Sequence, residues 1–198
     1  MSSPFSYPAA PHVRRHAPRG YANHSEFRAW LRDDFAFRCV YCLLREVWVP
    51  GGFHLDHFVP VSLRPDLATE YDNLLYACGP CNLGKQDARL PDPTASLLEE
   101  SVEVQESGLL LAKTKPAKRI IARLALNRPS YCRFRRLWIS VFQMARDDNP
   151  ELLRQVLGFP TDLPDLSKLR PPGGNAKPDG VEQSYFRLRE RGELPETY

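Results

Sequence analysis

Near the start of the chain, apolar side chains recur at the spacing of an amphipathic helix. The stretch HSEFRAWLRDDF contains four of them, Phe27, Trp30, Leu31 and Phe35. Side chains three and four residues apart are neighbours on a helix surface, so this spacing predicts a short helix with one buried face. Ser25 precedes the first apolar position and is a residue type preferred at helix N-caps.

The next segment combines apolar runs with turn residues. Two runs rich in β-branched and aromatic residues, 38–49 and 53–60, flank Pro50-Gly51-Gly52. A Pro/Gly break between two strand-like runs predicts a β-hairpin. Farther along, the pattern predicts a helix that begins at the second cysteine pair and ends before Pro91.

The rest of the chain is predicted to be helical and then extended. Residues 115–146 fit two helices broken near Asn127-Arg128-Pro129, and a shorter helix fits residues 151–157. From Pro160 onward prolines and glycines dominate, which predicts an extended tail with a brief helix near 181–191.

These patterns divide the chain into four predicted parts. They are a flexible, Pro- and Ala-rich arm at 1–22, a compact module with its preceding helix at 23–92, a helical, basic accessory region at 93–159, and a Pro/Gly-rich tail at 160–198. A chain of 198 residues is long enough for one ordinary domain or a small module with appendages.

One predicted strand carries polar residues that a buried strand normally excludes. The stretch FHLDHFVP contains an aspartate and two histidines. A carboxylate removed from water is costly unless it is paired or bound to a metal, which makes Asp56 and His57 candidate functional residues. The alternative is a salt-linked surface pair at a strand end. His54 is either an extra ligand or phosphate contact or, more simply, a solvated neighbour.

The cysteines predict a metal site. Four of the five form two Cys-x-x-Cys pairs, Cys39 with Cys42 and Cys78 with Cys81. Two such pairs supply the four thiolates of a closed, tetrahedral structural zinc site, and zinc binding would add folding free energy to a unit too small to bury an adequate core. Cys132 has no partner in sequence and is predicted to be a small buried side chain on a helix.

Composition and charge exclude few functions. The formal net charge is only +3, from 27 Lys and Arg against 24 Asp and Glu. The N-terminal residues contain no continuous apolar core, and no apolar run reaches the ~20 residues that span a bilayer. Grouped cysteines of this kind are typical of intracellular proteins, so a soluble, cytoplasmic protein without membrane contact is expected.

The motifs, taken in order, resemble a known family. The order Cys-x-x-Cys, Asp-His-x-x-Pro, Asn-Leu-Leu and Cys-x-x-Cys-Asn-x-x-Lys resembles the HNH endonuclease family, with its ββα-metal fold. The resemblance covers residues 38–89. The position directly after the last cysteine is often histidine in that family and is Asn82 here, so the sequence looks like the His-Asn-Asn variant, whose members are also nucleases.

The resemblance implies a role for each polar residue of the motif. His57 would be the general base, and Asp56 and Asn82 would be ligands of a catalytic cation. An asparagine carbonyl is a hard ligand, which favours Mg²⁺ or Mn²⁺. Asn73 would hydrogen-bond the loop that carries His57. Asn73 also suits the N-cap of a helix beginning at Leu74, and the two roles are compatible.

The residue types also suit phosphodiester hydrolysis on chemical grounds. The reaction needs a base for water and a cation for the phosphoryl and leaving oxygens, and histidine is a suitable base near neutral pH. Neighbours in extended backbone point to opposite sides, so Asp56 and His57 can serve opposite ends of one in-line displacement. Lys85, three residues after Asn82, shares its helix face and is predicted to contact a phosphate.

A basic stretch follows the module. Every charged residue from Lys113 to Arg136 is positive, which favours a surface that tracks a DNA backbone through Lys118, Arg119 and Arg123. No base-reading motif is present, so little sequence specificity is expected. The alternative is that these cations are the solvated side of a helix whose other side is built from isoleucine and leucine.

The ends of the chain carry further expectations. Three histidines in or near the arm are predicted to be solvated, His12, His16 and His24. The tail is expected either to be solvated or to dock a protein partner, with three apolar anchors, Tyr185, Phe186 and Leu188.

The predicted fold is α+β, a zinc-stabilised ββα-metal HNH core with flanking α-helices and a Pro/Gly-rich C-terminal tail. The predicted function is a metal-dependent HNH endonuclease that hydrolyses DNA with His57-activated water, structural Zn²⁺ and catalytic Mg²⁺ or Mn²⁺. The family pattern implies 5′-phosphate and 3′-hydroxyl products. The alternative is a non-catalytic, zinc-stabilised nucleic-acid-binding or assembly module.

Overall fold

The computed structural model describes residues 3–198, which form a mixed α and β fold. The helices are Arg28–Asp34 (α1), Gly79–Lys85 (α2), Pro93–Ser96 (α3), Lys115–Arg123 (α4), Pro129–Asp148 (α5), Pro150–Leu157 (α6), Asp179–Glu182 (α7) and Tyr185–Glu190 (α8). The strands are His54–His57 (β1), Leu74–Ala77 (β2), Val102–Val104 (β3) and Leu110–Ala112 (β4). The predicted α+β class is confirmed.

The strands form two small antiparallel sheets. In the first sheet β1 pairs with β2, with His54 opposite Ala77 and His57 opposite Leu74. In the second sheet β3 pairs with β4. Neither β3 nor β4 was predicted, because each strand is only three residues long and gives almost no alternation to detect.

The predicted hairpin around Pro50-Gly51-Gly52 is wrong, because β1 pairs with β2 and not with the run before it. The earlier run closes into a tight turn instead. Within it the Leu43 N–H donates to the Cys39 carbonyl and the Cys39 N–H to the Leu44 carbonyl. Leu43 has φ of 59°, a left-handed conformation that a continuous strand does not contain.

The first helix forms with a different cap from the predicted one. A 3-10 turn, His24–Phe27, precedes α1, and its N-cap is Asn23 instead of Ser25. The Asn23 side chain accepts from the Ser25 N–H, and the Glu26 side chain accepts from the Asn23 N–H. This reciprocal pair is a capping box. The apolar face predicted for the helix is buried as expected.

The predicted helices of the accessory region are confirmed by α4, α5 and α6. The β3–β4 turn packs on the second of them through Gly108. A Cβ on Gly108 would lie 2.1 Å from the carbonyl oxygen of Cys132, and φ there is 81°. Only glycine allows this close approach. No helix among the described residues is long and apolar enough to cross a membrane.

The N-terminal segment is packed, contrary to the predicted flexible arm. From residue 3 onward it lies against the core and buries Phe5 and Tyr7. His16, predicted to be solvated, is completely buried, with Nε2 2.9 Å from Oδ1 of Asp33. Asp33 is itself buried, and a buried carboxylate requires such partners.

The C-terminal segment also packs against the rest of the chain. It forms the short helices α7 and α8, near the predicted brief helix. Phe37, Leu163 and Tyr198 form a small buried cluster, and Tyr185 and Phe186 pack against it. The predicted solvated tail is therefore wrong for these residues, because their aromatic rings find partners within the chain.

The half-buried position of His12 predicts a stability that decreases in acid. Burial, followed by the charge of Arg14, lowers the pKa of His12 to about 4. In the unfolded chain a histidine has a pKa of ~6.5. Between that pH and about 4, the unfolded state therefore binds a proton that the folded state does not bind. Stability should therefore fall as the pH drops from 7 to 5. Replacing the imidazole by His12→Phe should reduce this fall by about 1–2 kcal/mol.

Thermal unfolding at pH 7 and pH 5 measures the effect. The control is His54→Gln, because the His54 side chain is exposed and its loss should leave the pH-dependent fall unchanged. An equal fall in the native protein and in His12→Phe would contradict the prediction.

Candidate metal centre and active site

The four paired cysteines come together at one point. Their Sγ atoms all lie within 4.8 Å of one another, and those of Cys42 and Cys78 are 3.6 Å apart. A tetrahedral zinc ion with Zn–S bonds of ~2.3 Å requires sulfur atoms ~3.8 Å apart. Three of the cysteines are buried and Cys42 is half-buried. The donor set and its closure fit a structural zinc ion.

Local backbone geometry places both cysteine pairs. The first pair lies in the tight turn described above, which the Val40 N–H ties to the Tyr76 carbonyl of β2. The second pair lies directly after β2, at the start of α2. Cys78 is the N-cap of that helix, and Pro80 occupies its first turn, where a missing N–H has no consequence. The cluster therefore joins a turn, a strand end and a helix start.

Helix α2 lies along strand β1, so that their polar side chains face each other. At its start, a Cβ on Gly79 would be 3.3 Å from Nε2 of His54. At its end, Nζ of Lys85 is 2.9 Å from Oδ1 of Asp56. Asn82 is three residues from each of these contacts, which puts it on the side of α2 that faces β1.

Asp56 is a buried carboxylate with two protein partners. It is 4% exposed; Lys85 donates to Oδ1, and the Tyr41 hydroxyl donates to Oδ2 at 2.6 Å. Burial raises the pKa of Asp56, while Lys85 and then Tyr41 act against the rise. An ionised carboxylate has about four lone-pair positions, so these two bonds leave Asp56 able to accept a cation as well.

Lys85 lies in a different environment from the predicted one. Its side chain is 1% exposed, and besides Asp56 its ammonium donates to the His57 carbonyl at 2.6 Å. The predicted partner of this ammonium was a phosphate. The structure gives it protein partners instead, because a buried ammonium needs oxygen acceptors and Asp56 supplies the nearest charge.

His57 is half-buried and held from one side. Its Nε2 lies 3.0 Å from the carbonyl oxygen of Ala68. A carbonyl can only accept, so Nε2 carries the hydrogen, and in the neutral ring the lone pair is then on Nδ1. The ring of His24 approaches edge-on, with centroids 4.9 Å apart. Burial, then the neighbouring charges of His57 and Arg28, lower the pKa of His24.

Asn73 joins the two ends of the loop that follows β1. Its Oδ1 accepts from the Val59 N–H at 2.8 Å, and its Nδ2 donates to the carbonyls of Val59 and Leu67, each at 3.1 Å. The loop that carries Ala68 is thereby closed. The alternative of a helix cap is wrong, because Leu74 begins strand β2.

The comparison with known families covers this assembly. Residues 39–88 match the family model described as HNH endonuclease. The chain contains an HNH endonuclease domain. The match includes both cysteine pairs, β1, β2 and α2, so the predicted resemblance is confirmed, and membership of this family indicates nuclease-type activity. A search of curated proteins and a search of solved structures found no match to the chain.

A cationic surface adjoins the HNH domain. Helix α4 buries Ala117, Ile120 and Ile121 and exposes three cations, Lys118, Arg119 and Arg123. Arg123 donates to the Lys85 carbonyl at 3.3 Å, and Arg119 donates to the Arg89 carbonyl at 3.2 Å. The three cations therefore form the solvated side of α4, and Arg123 and Arg119 contact the end of α2 and the segment that follows it.

Two other cations of the basic stretch have structural partners. Arg135 is buried and donates to the carbonyls of Gly108 and Leu126. Lys113 forms an ion pair with Glu103 at 3.2 Å. Only part of the positive charge seen in the sequence is thus free to meet a partner.

Sequence reasoning missed three contacts of the site. Tyr41 lies between Cys39 and Cys42 in the sequence, and the sequence pattern does not indicate its hydrogen bond to Asp56. Ala68 contributes only its backbone carbonyl to His57. His24 lies far upstream, outside the matched residues, and nothing in the local pattern connects it with His57.

Substitution of a cysteine in the cluster should have a different effect on zinc content and stability from substitution of Cys132. Replacing one thiolate by Cys78→Ser should release zinc and remove most of the cooperative unfolding transition, because metal binding contributes directly to folding in units of this kind. Zinc per chain, measured by inductively coupled plasma mass spectrometry, and thermal melts followed by circular dichroism report both effects. Cys132→Ser is the matched control and should keep native zinc content. Native zinc and stability in Cys78→Ser would contradict the prediction.

Proposed function

We propose that this protein is a metal-dependent endonuclease that hydrolyses DNA phosphodiester bonds, with His57 as the general base. The observation that carries the proposal is the hydrogen bond from Nε2 of His57 to the Ala68 carbonyl. It orients the ring and leaves Nδ1 as a proton acceptor. Hydrolysis of a phosphodiester requires such an acceptor for the proton of the attacking water.

The second requirement is a site for a cation. Asp56 retains free lone pairs, and the Asn82 side chain forms no hydrogen bond within the described residues and lies on the side of α2 that faces β1. Both offer hard oxygen donors of the kind that Mg²⁺ and Mn²⁺ prefer. These two residues would hold the ion, which when bound would stabilise negative charge on the phosphoryl and leaving oxygens.

Lys85 and Tyr41 act as positioning residues in this proposal. Their two bonds hold the Asp56 carboxylate in one orientation, and the Lys85 ammonium offsets its charge in the buried site. Because Lys85 also bonds to the His57 carbonyl, it ties together the two residues that the reaction uses. The phosphate contacts would then come from more exposed cations.

The exposed cations of α4 are suited to that task. Arg123 contacts Lys85, the last residue of the helix that carries Asn82, and Arg119 contacts Arg89 just beyond it. No acidic residue occurs from Lys118 to Arg123. Their arrangement favours contact with the phosphate backbone over base recognition. Products with a 5′-phosphate and a 3′-hydroxyl are expected from the family pattern.

If His57 is the general base, substitution of the two histidines of β1 should affect the cleavage rate differently. His57→Ala should lower the rate of DNA cleavage by about 10²- to 10⁴-fold, the usual contribution of a positioned base. Zinc content and melting temperature should remain close to native, because the His57 ring is outside the cysteine cluster. Cleavage of supercoiled plasmid with Mg²⁺ or Mn²⁺ measures the rate. His54→Ala, in the same strand, should cleave at nearly the native rate.

Two outcomes would contradict this proposal. Equal activity of His57→Ala and the native protein would remove His57 as the base. A native, zinc-loaded protein that leaves plasmid, single-stranded and branched DNA intact with both ions would favour the non-catalytic binding module.

The cationic surface predicts a change in salt dependence. Replacing Lys118, Arg119 and Arg123 together by glutamine should weaken DNA binding about equally for unrelated sequences. The slope of log K against log salt should fall by about one for each phosphate that is no longer bound by a cation. Fluorescence anisotropy at several salt concentrations measures the slope. Lys168→Gln with Arg170→Gln removes two exposed charges from the C-terminal segment and serves as control. An unchanged slope in the triple variant would show that these cations only solvate α4.

A further inference from the structure

A cavity of about 560 Å³ lies outside the candidate active site. We call it the arginine cavity and define it by these of its lining residues, Arg15, Asp34, Arg38, Phe159, Tyr185 and Tyr198. Neither Asp56 nor His57 lines it. Its volume falls within the roughly 300–1,000 Å³ typical of small-molecule sites.

Two arginines at this cavity lack an acidic partner. Arg38 lines the cavity, and Arg45 is 1% exposed; both guanidinium carbons lie over the Tyr198 ring, at 4.9 and 4.3 Å from its centroid. Within the described residues neither forms an ion pair with a carboxylate. The Nε atom of each, and Nη1 of Arg45, are buried without a hydrogen-bond partner.

The acidic residue of the cavity does not compensate this charge. Asp34 already accepts from the Arg15 N–H at 2.7 Å and from the Tyr71 hydroxyl at 2.6 Å. Arg15, in turn, forms an ion pair with Asp33 at 2.8 Å. Nη1 of Arg14 also lies 3.9 Å from Asp34, so the two aspartates are matched by two arginines and do not offset the charges of Arg38 and Arg45.

An uncompensated pair of cations, with Arg45 buried and Arg38 half-buried, is unfavourable in the free protein. A buried charge is costly unless it is paired, and two like charges repel each other more strongly away from water. Burial, followed by the charge of Arg38, lowers the pKa of Arg45 to about 9. An anion bound at Arg38 would offset both effects, and the planar guanidinium fork matches phosphate oxygens in particular.

The remaining wall of the cavity indicates what the anion carries. Phe159, Tyr185 and Tyr198 pack together there, with centroids of Phe159 4.8 Å from Tyr185 and 4.6 Å from Tyr198. Arg15 lies over the Tyr185 ring at 4.4 Å, and Arg38 and Arg45 lie over the Tyr198 ring, so a further planar group would meet the half-buried Phe159 and the remaining ring edges. The cavity thus has a cationic half at Arg38 and an aromatic half at Phe159, Tyr185 and Tyr198. A phosphate joined to a flat heterocycle can contact both halves.

We propose that the arginine cavity binds a nucleoside phosphate, with the phosphate on Arg38 and the base against the aromatic wall. Arg45 strengthens the positive potential at Arg38 without direct contact. This site is independent of the candidate active site, and the proposal holds whether or not the HNH domain cleaves DNA.

The test is binding of small ligands to the full chain, measured by isothermal titration calorimetry. The probes are the four nucleoside 5′-monophosphates, adenosine, inorganic phosphate and a 5′-phosphorylated oligonucleotide. At least one monophosphate should bind at least ~10-fold more tightly than adenosine or inorganic phosphate, because only it fills both halves of the cavity. No binding of any monophosphate at 1 mM (roughly the weak limit for a specific small ligand) would overturn the proposal.

Variants of Arg38 test the role of its charge. Arg38→Met should weaken monophosphate binding at least ~10-fold, and Arg38→Lys, which keeps the charge but loses the fork, should weaken it less. Without ligand, Arg38→Met should melt at the native temperature or above, because one of two unpaired charges is removed. Arg170→Met, an exposed arginine outside the cavity, should bind as the native protein does.

Four results would overturn the proposal. The first is adenosine binding as tightly as the monophosphates. The second is native affinity in both Arg38 variants. The third is a marked loss of stability in ligand-free Arg38→Met, which would make Arg38 a structural residue. The fourth is tighter binding of the oligonucleotide than of any monophosphate, which would make the cavity part of a nucleic-acid surface.

Discussion

The structure depends on the convergence of four thiolates from two distant parts of the chain. Cys39 and Cys42 lie in a tight turn, whereas Cys78 and Cys81 begin helix α2, and a zinc ion at their centre would hold both together. The same helix carries Asn82 and faces β1. The cysteine cluster thus fixes how far the polar residues of α2 lie from those of β1.

A second constraint acts from the opposite side of β1. The loop after the strand is closed by Asn73, which bonds to Val59 and Leu67, and this places the Ala68 carbonyl against His57. The histidine and the aspartate are adjacent in sequence yet oriented by different parts of the chain, one by a loop and the other by Lys85 and Tyr41. Lys85 contacts both residues, through the Asp56 carboxylate and the His57 carbonyl, but the His57 ring is oriented by the Ala68 carbonyl of the loop.

The sequence was informative where a function imposes spacing on neighbouring residues. The cysteine pairs, Asp56-His57 and the apolar face of α1 all follow from local rules. The cysteine cluster, the family resemblance and the fold class were confirmed, whereas the roles of Asp56 and His57 stay a prediction. Prediction failed where partners are distant in sequence. The sequence around His16 does not indicate that the side chain is buried next to Asp33. The sequence around Lys85 does not indicate that the ammonium forms an ion pair with Asp56.

Composition was misleading for the two terminal segments for a related reason. Proline and glycine are common in unstructured chain, but they are also common in irregular segments that lie on a core. A few large side chains decide between the two cases. Phe5 and Tyr7 at one end, and Tyr185 and Tyr198 at the other, supply enough apolar area to hold their segments in place.

The position of Asp33 has a consequence for the order of events during protein synthesis. Its carboxylate is shared by His16 and by the backbone N–H of Tyr185, a residue 152 positions later. A chain emerging from the ribosome has the whole HNH domain available long before Tyr185 appears. The cysteine cluster can therefore assemble early, whereas Asp33 of α1 gains the Tyr185 N–H only after residue 185 has been synthesised.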